Sequence, residues 1–334
     1  MRSAAPTRLA LVGTGGSGKS MLAAALGHRL SGFFGGNIHW FRVGAWNFRT
    51  LSEVLALRFG TPRGEGRLRA LKRYVRSHGP KLIVLDNHED DQAVAQLLDA
   101  FSDAPLTFVI TARRCLLAGV LIFPVTAPLV TAGKSAFPRV ARLTRLLRFN
   151  PLALDIADAI VRSRAATCST LEKALRDQGV DRVVPIEHED DLPEVARLVE
   201  WARKRLPPES RRMLAVLAHV EGDHVDAASL AALAHAGRKR EAALEALRRF
   251  HLVQEPVRGR FTLHAVVRHA VKRRTRISAD AVFDYYVSLL EREPGRLLLE
   301  QSHLFTAMDH ASRTNDLHAL LRVEALIRRL DGLD

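Results

Sequence analysis

Short apolar runs alternate with segments of helical spacing over the first 145 residues of the chain. Five runs have the length and composition of buried strands, at positions 9–12, 37–43, 81–86, 106–110 and 121–123. The segments between them predict helices directly after residue 20 and at 51–59 and 67–77. This alternation is typical of a parallel sheet that lies between helices. We therefore predict an α/β domain over residues 1–145.

After residue 145 the apolar positions follow helical spacing almost throughout. Segments 152–162 and 171–178 predict a small helical bundle, which we assign to residues 146–192 as a lid domain. The stretch 183–191 contains an acidic cluster with flanking prolines, so we interpret it as a linker.

A hairpin signal at Pro256-Val257-Arg258-Gly259 interrupts the later helical pattern. Three predicted helices precede this signal and one follows it, at 209–219, 227–236, 239–251 and 264–274. Three helices, a hairpin and a helix predict a winged-helix domain over residues 193–276. We interpret the amphipathic helices of residues 277–334 as the start of helical repeats.

The strongest chemical signal directly follows the first predicted strand. Gly13-Thr14-Gly15-Gly16-Ser17-Gly18-Lys19-Ser20 matches the phosphate-loop pattern G-x-x-x-x-G-K-[ST]. Glycines let the backbone turn its N–H groups toward a polyphosphate, and the start of the next helix adds positive potential. Lys19 is expected to reach the β- and γ-phosphates, and Ser20 to bind Mg²⁺. The predicted nucleotide-binding residues here are Gly13, Gly15, Gly16, Ser17, Gly18, Lys19, Ser20 and Met21.

Two later strands end in residues that suit the same site. The third predicted strand closes with Asp86, and such a carboxylate holds Mg²⁺ in phosphate-loop proteins. The fourth is followed by Thr111-Ala112-Arg113. Polar groups at the carboxyl ends of parallel strands face the ligand crevice, so Thr111 and Arg113 are expected to sense the terminal phosphate. Lys19, Asp86 and Arg113 are the candidates for any catalytic role.

Composition narrows the class of protein. Two cysteines, Cys115 and Cys168, provide no disulfide framework, which favours a cytoplasmic protein. The phosphate loop starts at residue 13, so we expect no signal peptide. Residues 115–132 carry no charge and approach the length of a membrane-spanning helix. Gly119, Pro124 and Pro128 interrupt this stretch, so we expect no membrane span.

The order of these motifs resembles that of the NB-ARC group of STAND signal-transduction ATPases. Residues 13–20 match the family's phosphate loop, 82–86 its metal-binding strand and 111–113 its sensor strand. A later family motif, G-x-P, is matched in part at Asn150-Pro151, and its proline packs against adenine in the family. Phe261-Thr262-Leu263-His264-Ala265 resembles the Met-His-Asp motif, whose histidine contacts the β-phosphate of ADP. The resemblance thus implies adenine binding at Pro151 and phosphate sensing by His264.

The chain departs from the family pattern at two positions that bear on catalysis. The family's metal strand usually ends in Asp-Asp, whereas Asn87 follows Asp86 here, and an amide is a poor proton acceptor. Glu89 or Asp90 is a candidate replacement for the missing carboxylate. We therefore expect slow hydrolysis or none. No guanine-recognition motif Asn-Lys-x-Asp occurs, which favours ATP and ADP over GTP.

These features predict a nucleotide-dependent switch in signal transduction or regulation. ADP with Mg²⁺ is expected in a closed resting state, and ATP in an open state that self-associates and acts on an effector protein. An alternative is a DNA-binding ATPase similar to origin-recognition initiators. A net charge of +14, with 50 Lys and Arg against 36 Asp and Glu, permits that alternative. Its DNA contacts would come from Arg238, Lys239, Arg240, Arg248 and Arg249.

Overall fold

The computed structural model describes residues 7–44, 47–61, 66–88, 90–126, 137–179, 192–220 and 224–331. These residues form two compact units. One ends at Thr126, and the other starts, within the described residues, at Phe137. The predicted linker at 183–191 and residue Glu89 lie outside the described residues.

The first unit contains a five-stranded parallel sheet in the order β2-β3-β4-β1-β5. Its strands are β1 (Arg8–Val12), β2 (Ile38–Gly44), β3 (Lys81–His88), β4 (Leu106–Ala112) and β5 (Leu121–Pro124). Four helices accompany it: α1 (Lys19–Leu30), α2 (Phe48–Arg58), α3 (Arg67–Ser77) and α4 (Asp91–Ala100). The α/β prediction is confirmed, and α4 is an addition that the sequence reading had not proposed.

Both faces of the central strands are buried, as expected for a parallel sheet between helices. In β3, Leu82 and Val84 pack in the cluster that includes Ala23 of α1. Ile83 and Leu85, which alternate with them, pack on the other side against residues of α2, α3 and α4. This two-sided burial explains why β3 is a continuous apolar run rather than an alternating one.

The prediction of a buried strand at 121–123 is correct for the strand and wrong for its burial. Leu121, Ile122 and Phe123 are 65%, 55% and 52% exposed. The physical reason is position, because β5 is the edge strand of the sheet and pairs only with β1 among the described strands. An apolar run identifies a strand but does not reveal whether that strand is central.

The second unit begins with a short 3-10 segment (Pro138–Leu143) and the helices α5 (Pro151–Arg162), α6 (Cys168–Asp177) and α7 (Pro193–Arg203). Helices α5 and α6 confirm the two predicted segments, whereas α7 was not predicted. One hydrophobic cluster extends from Val140 to Leu289. The predicted lid and winged-helix domains therefore share a continuous core, and their boundary at residue 192 stays a prediction.

The winged-helix prediction matches the next elements. They are α8 (Pro208–His219), β6 (Val225–Asp226), α9 (Ala227–Leu233), α10 (Arg240–Arg249), β7 (Gln254–Val257), β8 (Arg260–Thr262) and α11 (Ala265–Lys272). The hairpin β7-β8 is antiparallel, and β6 pairs with β8 as a third strand. A two-residue strand such as β6 is too short to leave a periodic signal in the sequence.

Three longer helices follow: α12 (Ala279–Arg292), α13 (Gln301–Thr314) and α14 (Leu317–Asp331). A buried ion pair links this segment to the winged helix. Arg260 of β8 donates to both carboxylate oxygens of Glu300, at 2.8 and 2.6 Å, and Arg296 donates to the same carboxylate at 2.8 Å. Burial favours the neutral acid, but these hydrogen bonds hold the pKa of Glu300 below its ordinary value.

Within the described residues, no helix is both long and apolar enough to cross a bilayer.

Replacing Glu300 by alanine is expected to lower the free energy of unfolding by about 3–5 kcal/mol, because two guanidinium groups would lose their buried partner. Equilibrium urea denaturation measures the change. Glu291→Ala is the matched control, since Glu291 pairs with Arg322 at the surface and such pairs contribute up to about 1 kcal/mol. Equal losses in the two variants would contradict the structural role of the buried pair.

Candidate nucleotide-binding site

The phosphate loop lies between β1 and α1, and its glycines meet specific backbone requirements. Gly16 and Gly18 have φ angles of 77° and 95°, in the region that favours glycine. Gly13 is needed for a different reason: a Cβ at this position would lie 2.3 Å from the carbonyl oxygen of Val125. The loop can therefore be built only with glycine at these positions.

Lys19, the first residue of α1, folds back over the loop. Its ammonium group donates to the carbonyl oxygens of Gly13 and Thr14, at 2.7 and 2.8 Å. Burial and, after it, the nearby Arg113 lower the pKa of Lys19 to about 8, while Asp86 opposes the change. The ammonium thus lies at the loop in a setting that favours an added negative charge.

Asp86 connects the loop to the two neighbouring strands. The hydroxyl groups of Ser20 and Thr111 both donate to its Oδ1 oxygen, each at 2.6 Å. Asp86 and Thr111 stand at the carboxyl ends of adjacent strands, β3 and β4, which explains why they meet. The backbone N–H of Asn87 donates to the Thr111 hydroxyl at 2.9 Å, and Asn87 has a φ of 58° beside a register shift in β3.

These residues fit a polyphosphate and a magnesium ion. Because Ser20 donates its proton to Asp86, its oxygen lone pairs remain able to bind a cation. The hydroxyl of Ser17 is buried and has no hydrogen-bond partner among the described residues, as expected of a donor reserved for a ligand. The part of the chain that the structure describes contains no cluster of three His, Cys, Asp or Glu side chains that could hold a metal alone. Ser20 and Asp86 would hold Mg²⁺ together with phosphate oxygens.

The remaining predicted residues of this unit differ in accessibility. Arg113 follows β4, is partly buried and lies close enough to Lys19 to influence its pKa. Met21 is 77% exposed on α1. Thr111 is almost fully buried, so the structure shows it positioning Asp86 and Asn87, and its contact with phosphate stays a prediction. Asp90 caps α4 by accepting from the backbone N–H groups of Gln92 and Ala93, which gives this carboxylate a structural role.

Pro151 and His264 lie in the second unit. Pro151 is the first residue of α5, directly after Asn150, whose side chain accepts from the backbone N–H of Ala153 at 3.0 Å. Asn150 thus caps the helix. The two preceding residues, Arg148 and Phe149, have φ angles of 50° and 55°, a conformation that is costly without glycine.

His264 is the N-cap of α11. Its Nδ1 accepts from the backbone N–H of Val266 at 3.3 Å, so in the neutral ring the proton lies on Nε2. The side chain is partly buried. A ring held in this way presents a fixed N–H donor near the start of a helix, which suits an anionic partner.

Two contributions to the site were missed from the sequence. The sequence identified Ser17 only as a loop residue and gave no sign that its hydroxyl is buried without a partner. The second is the close approach of Val125, the residue after β5, to Gly13. Sequence spacing could not have shown it, because this contact joins residues that are far apart in the chain.

A search of solved structures places this architecture among known proteins. Over 98% of its length the chain superimposes on a Signal Transduction ATPase with Numerous Domains (STAND) with a tetratricopeptide repeat sensor, from Pyrococcus horikoshii, with a TM-score of 0.54 and 15% identity. The chain has the fold of a STAND ATPase. It spans 56% of the length of that protein.

A Walker-type ATPase of Pyrococcus abyssi is a more distant match, with a TM-score of 0.33 and 14% identity over 79% of this chain and 90% of that one. No protein-family model matches the chain, and no curated protein does. The comparison with the STAND ATPase therefore shows a similarity of fold alone.

Gly13→Ala is expected to weaken ADP binding by about tenfold or more, because the added Cβ and the Val125 carbonyl cannot both keep their positions. Calorimetric titration with ADP measures the effect. Gly32→Ala is the matched control, since a Cβ at Gly32 meets no atom within 4 Å. Wild-type affinity in Gly13→Ala would show that the loop is not held by this contact.

ADP affinity is expected to fall by about tenfold between pH 7 and pH 9, because Lys19 loses its proton above its pKa of about 8 and phosphate binds the ammonium form. Below pH 7 the group is almost fully charged, and Lys19 should add no further pH dependence there. Lys19→Arg is the control, since guanidinium does not titrate in this range and the variant should show a flat profile. A sloping profile in Lys19→Arg would assign the pH dependence to another group.

Proposed function

We propose that the protein is a nucleotide-operated switch that binds ADP in a closed state and ATP in an open, self-associating state. The observation that carries the proposal is the joined set of Lys19, Ser20 and Asp86 at a glycine loop, in a chain with a STAND ATPase fold. The phosphate loop and that fold support nucleotide binding, and the two nucleotide states and their coupling complete the proposal.

In the closed state, the phosphate loop and Lys19 hold the ADP phosphates, while Pro151 packs against the adenine. His264 donates from Nε2 to the β-phosphate, a role supported by the hydrogen bond that fixes its ring at the start of α11. Each of these contacts adds affinity for ADP in that state. A ligand shifts a conformational equilibrium only through such a difference in affinity between the states.

In the open state, Arg113 pairs with the γ-phosphate, and His264 no longer holds the nucleotide. Arg113 lies near Lys19, which supports a position for Arg113 at the terminal phosphate. The winged helix then exposes a surface for self-association and for an effector protein. Such a switch requires only that Arg113 gains a contact with the nucleotide and His264 loses one, and it needs no chemical reaction.

Hydrolysis is expected to be slow, which suits a switch. Asn87 follows Asp86, and its amide side chain offers no carboxylate to accept a proton from water. Its backbone N–H donates to the Thr111 hydroxyl. Asp90, one candidate replacement, is occupied as a helix cap. We therefore expect at most a slow ATPase that depends on Lys19, Asp86 and Arg113.

The alternative of DNA binding receives no specific support from the winged helix. Lys239 pairs with Glu209, Arg240 with Glu241 and Arg248 with Glu255. These ion pairs reduce the charge that the proposed DNA-contacting residues would offer to phosphates. A steep loss of duplex affinity with rising salt would favour the alternative.

The switch predicts that freshly purified protein releases near-stoichiometric ADP on denaturation, which chromatography identifies. His264→Asn is expected to release ADP about tenfold faster and to assemble more readily with ATP, because asparagine retains the helix cap but lacks the Nε2 donor. Nucleotide exchange kinetics and size-exclusion chromatography measure the two effects. His318→Ala is the control, since His318 is exposed on α14.

Two outcomes would contradict the proposal. Unchanged ADP release together with unchanged assembly in His264→Asn would remove His264 from the switch. An empty site with fast ATP turnover would instead identify a working ATPase.

A further inference from the structure

The loop that carries Arg113 follows the surface of the core of the first unit. It begins directly after β4, which ends at Ala112. Further along the loop, the side chains of Cys115 and Leu117 are buried in the core cluster that contains residues of α2, α3 and α4. Leu116, between them, is exposed. The loop is therefore held by its side chains only from Cys115 onward, and Arg113 lies before that point.

A carboxylate of α4 also holds this loop, through the loop backbone. Asp91 is the first residue of α4, and its Oδ2 oxygen accepts from the backbone N–H of Leu116 at 2.9 Å. The bonded N–H lies three residues after Arg113. Asp91 has no part in the predicted nucleotide site, so this hydrogen bond is a separate link between α4 and the loop.

The other oxygen of the same carboxylate is bound to the end of β3. The distance from Asp91 Oδ1 to His88 Nε2 is 2.6 Å, and the His88 side chain is buried. Because a carboxylate accepts hydrogen bonds, the imidazole donates from Nε2. A donor that is itself held in the core fixes the direction of the carboxylate. Oδ2 is thereby kept in position for the Leu116 N–H.

An extra residue in β3 brings His88 to the side of the sheet on which α4 lies. Leu85 is paired with Ile110 and His88 with Ala112, so β3 has one more residue than β4 over this stretch. Leu85 and Ile110 pack on the α4 side. Without the bulge, His88 would share a face with Asp86, which meets α1 on the opposite side. The bulge thus directs two side chains of one strand end to two different tasks.

We propose that Asp91, oriented by His88, is a positioning residue that holds the loop carrying Arg113. The strand end that provides Asp86 to the phosphate loop then also sets, through His88 and Asp91, where Arg113 can lie. A fixed Arg113 favours a nucleotide that has a γ-phosphate, and ADP has none. Asp91 should therefore contribute to ATP affinity more than to ADP affinity. This inference rests on the contact proposed between Arg113 and the γ-phosphate.

The test uses the full chain in calorimetric titrations with ADP and with AMP-PNP, an ATP analogue that is not hydrolysed. Asp91→Ala is expected to raise the ratio of the AMP-PNP Kd to the ADP Kd about tenfold, because Arg113 loses its fixed position. Asp91→Asn should keep the wild-type ratio, since an amide can accept from Leu116 and donate to a His88 protonated on Nδ1. Asp99→Ala, which removes an exposed carboxylate from the same helix, is the matched control.

Three further measurements separate positioning from a loss of fold. Hydrogen exchange at the Leu116 amide should be slow in the wild type and in Asp99→Ala, and faster in Asp91→Ala. Thermal melting verifies folding. If Asp91→Ala does not fold, His88→Phe keeps a buried ring, removes the orienting donor and should raise the ratio in the same direction. The double variant Asp91→Ala/Arg113→Ala should have the ratio of Arg113→Ala alone, because Asp91 acts through Arg113.

The outcomes distinguish this inference from the proposed switch. The inference alone is overturned if Arg113→Ala raises the ratio and Asp91→Ala does not, or if the double variant exceeds Arg113→Ala. Unchanged exchange at Leu116 in Asp91→Ala would also overturn it. The same holds if Asp91→Asn behaves like Asp91→Ala, which would assign the effect to the charge of Asp91. A wild-type ratio in Arg113→Ala would instead remove Arg113 from the switch, and with it the role inferred for Asp91.

Discussion

The hydrogen bonds that converge on Asp86 are the interaction on which the candidate site depends. A single carboxylate oxygen accepts from Ser20 of α1 and from Thr111 of β4, so it joins the loop helix to two adjacent strands. The directions of these bonds matter. Since both hydroxyl groups donate to Asp86, the Thr111 oxygen is left to accept the Asn87 N–H, and the Ser20 oxygen is left for a cation. Asp86 thus orients the two hydroxyl groups that donate to it.

This convergence also determines how the loop responds to a ligand. Lys19 donates to two loop carbonyls, and its lowered pKa shows that burial and Arg113 outweigh the attraction of Asp86. A bound polyphosphate would raise the pKa of Lys19 again, because its negative charge would lie beside the buried ammonium group. The loop is therefore arranged for a charge that its own residues do not provide. The buried hydroxyl of Ser17 is consistent with the same conclusion.

Much of the first unit could be predicted because its strands are buried on both faces. The apolar run 82–85 of β3 does not alternate with polar residues because both of its faces are buried. The glycine loop that follows β1 identifies the strand before it. The exposure of the edge strand β5 could not be predicted, since Leu121 and Phe123 are as apolar as the residues of the central strands. The phosphate loop and Asp86 were found from spacing. The positioning role of Thr111 required the register of β3 and β4, which no local pattern contains.

The basic composition overstates the charge that the winged helix offers to a partner. On α10 the cations stand beside glutamates such as Glu255, so much of their charge is compensated within the chain. A net charge of +14 does not reveal this compensation. What decides whether a basic side chain can recruit an anion is the local balance of carboxylates and burial, because opposite charges within a few ångströms offset each other before any ligand arrives.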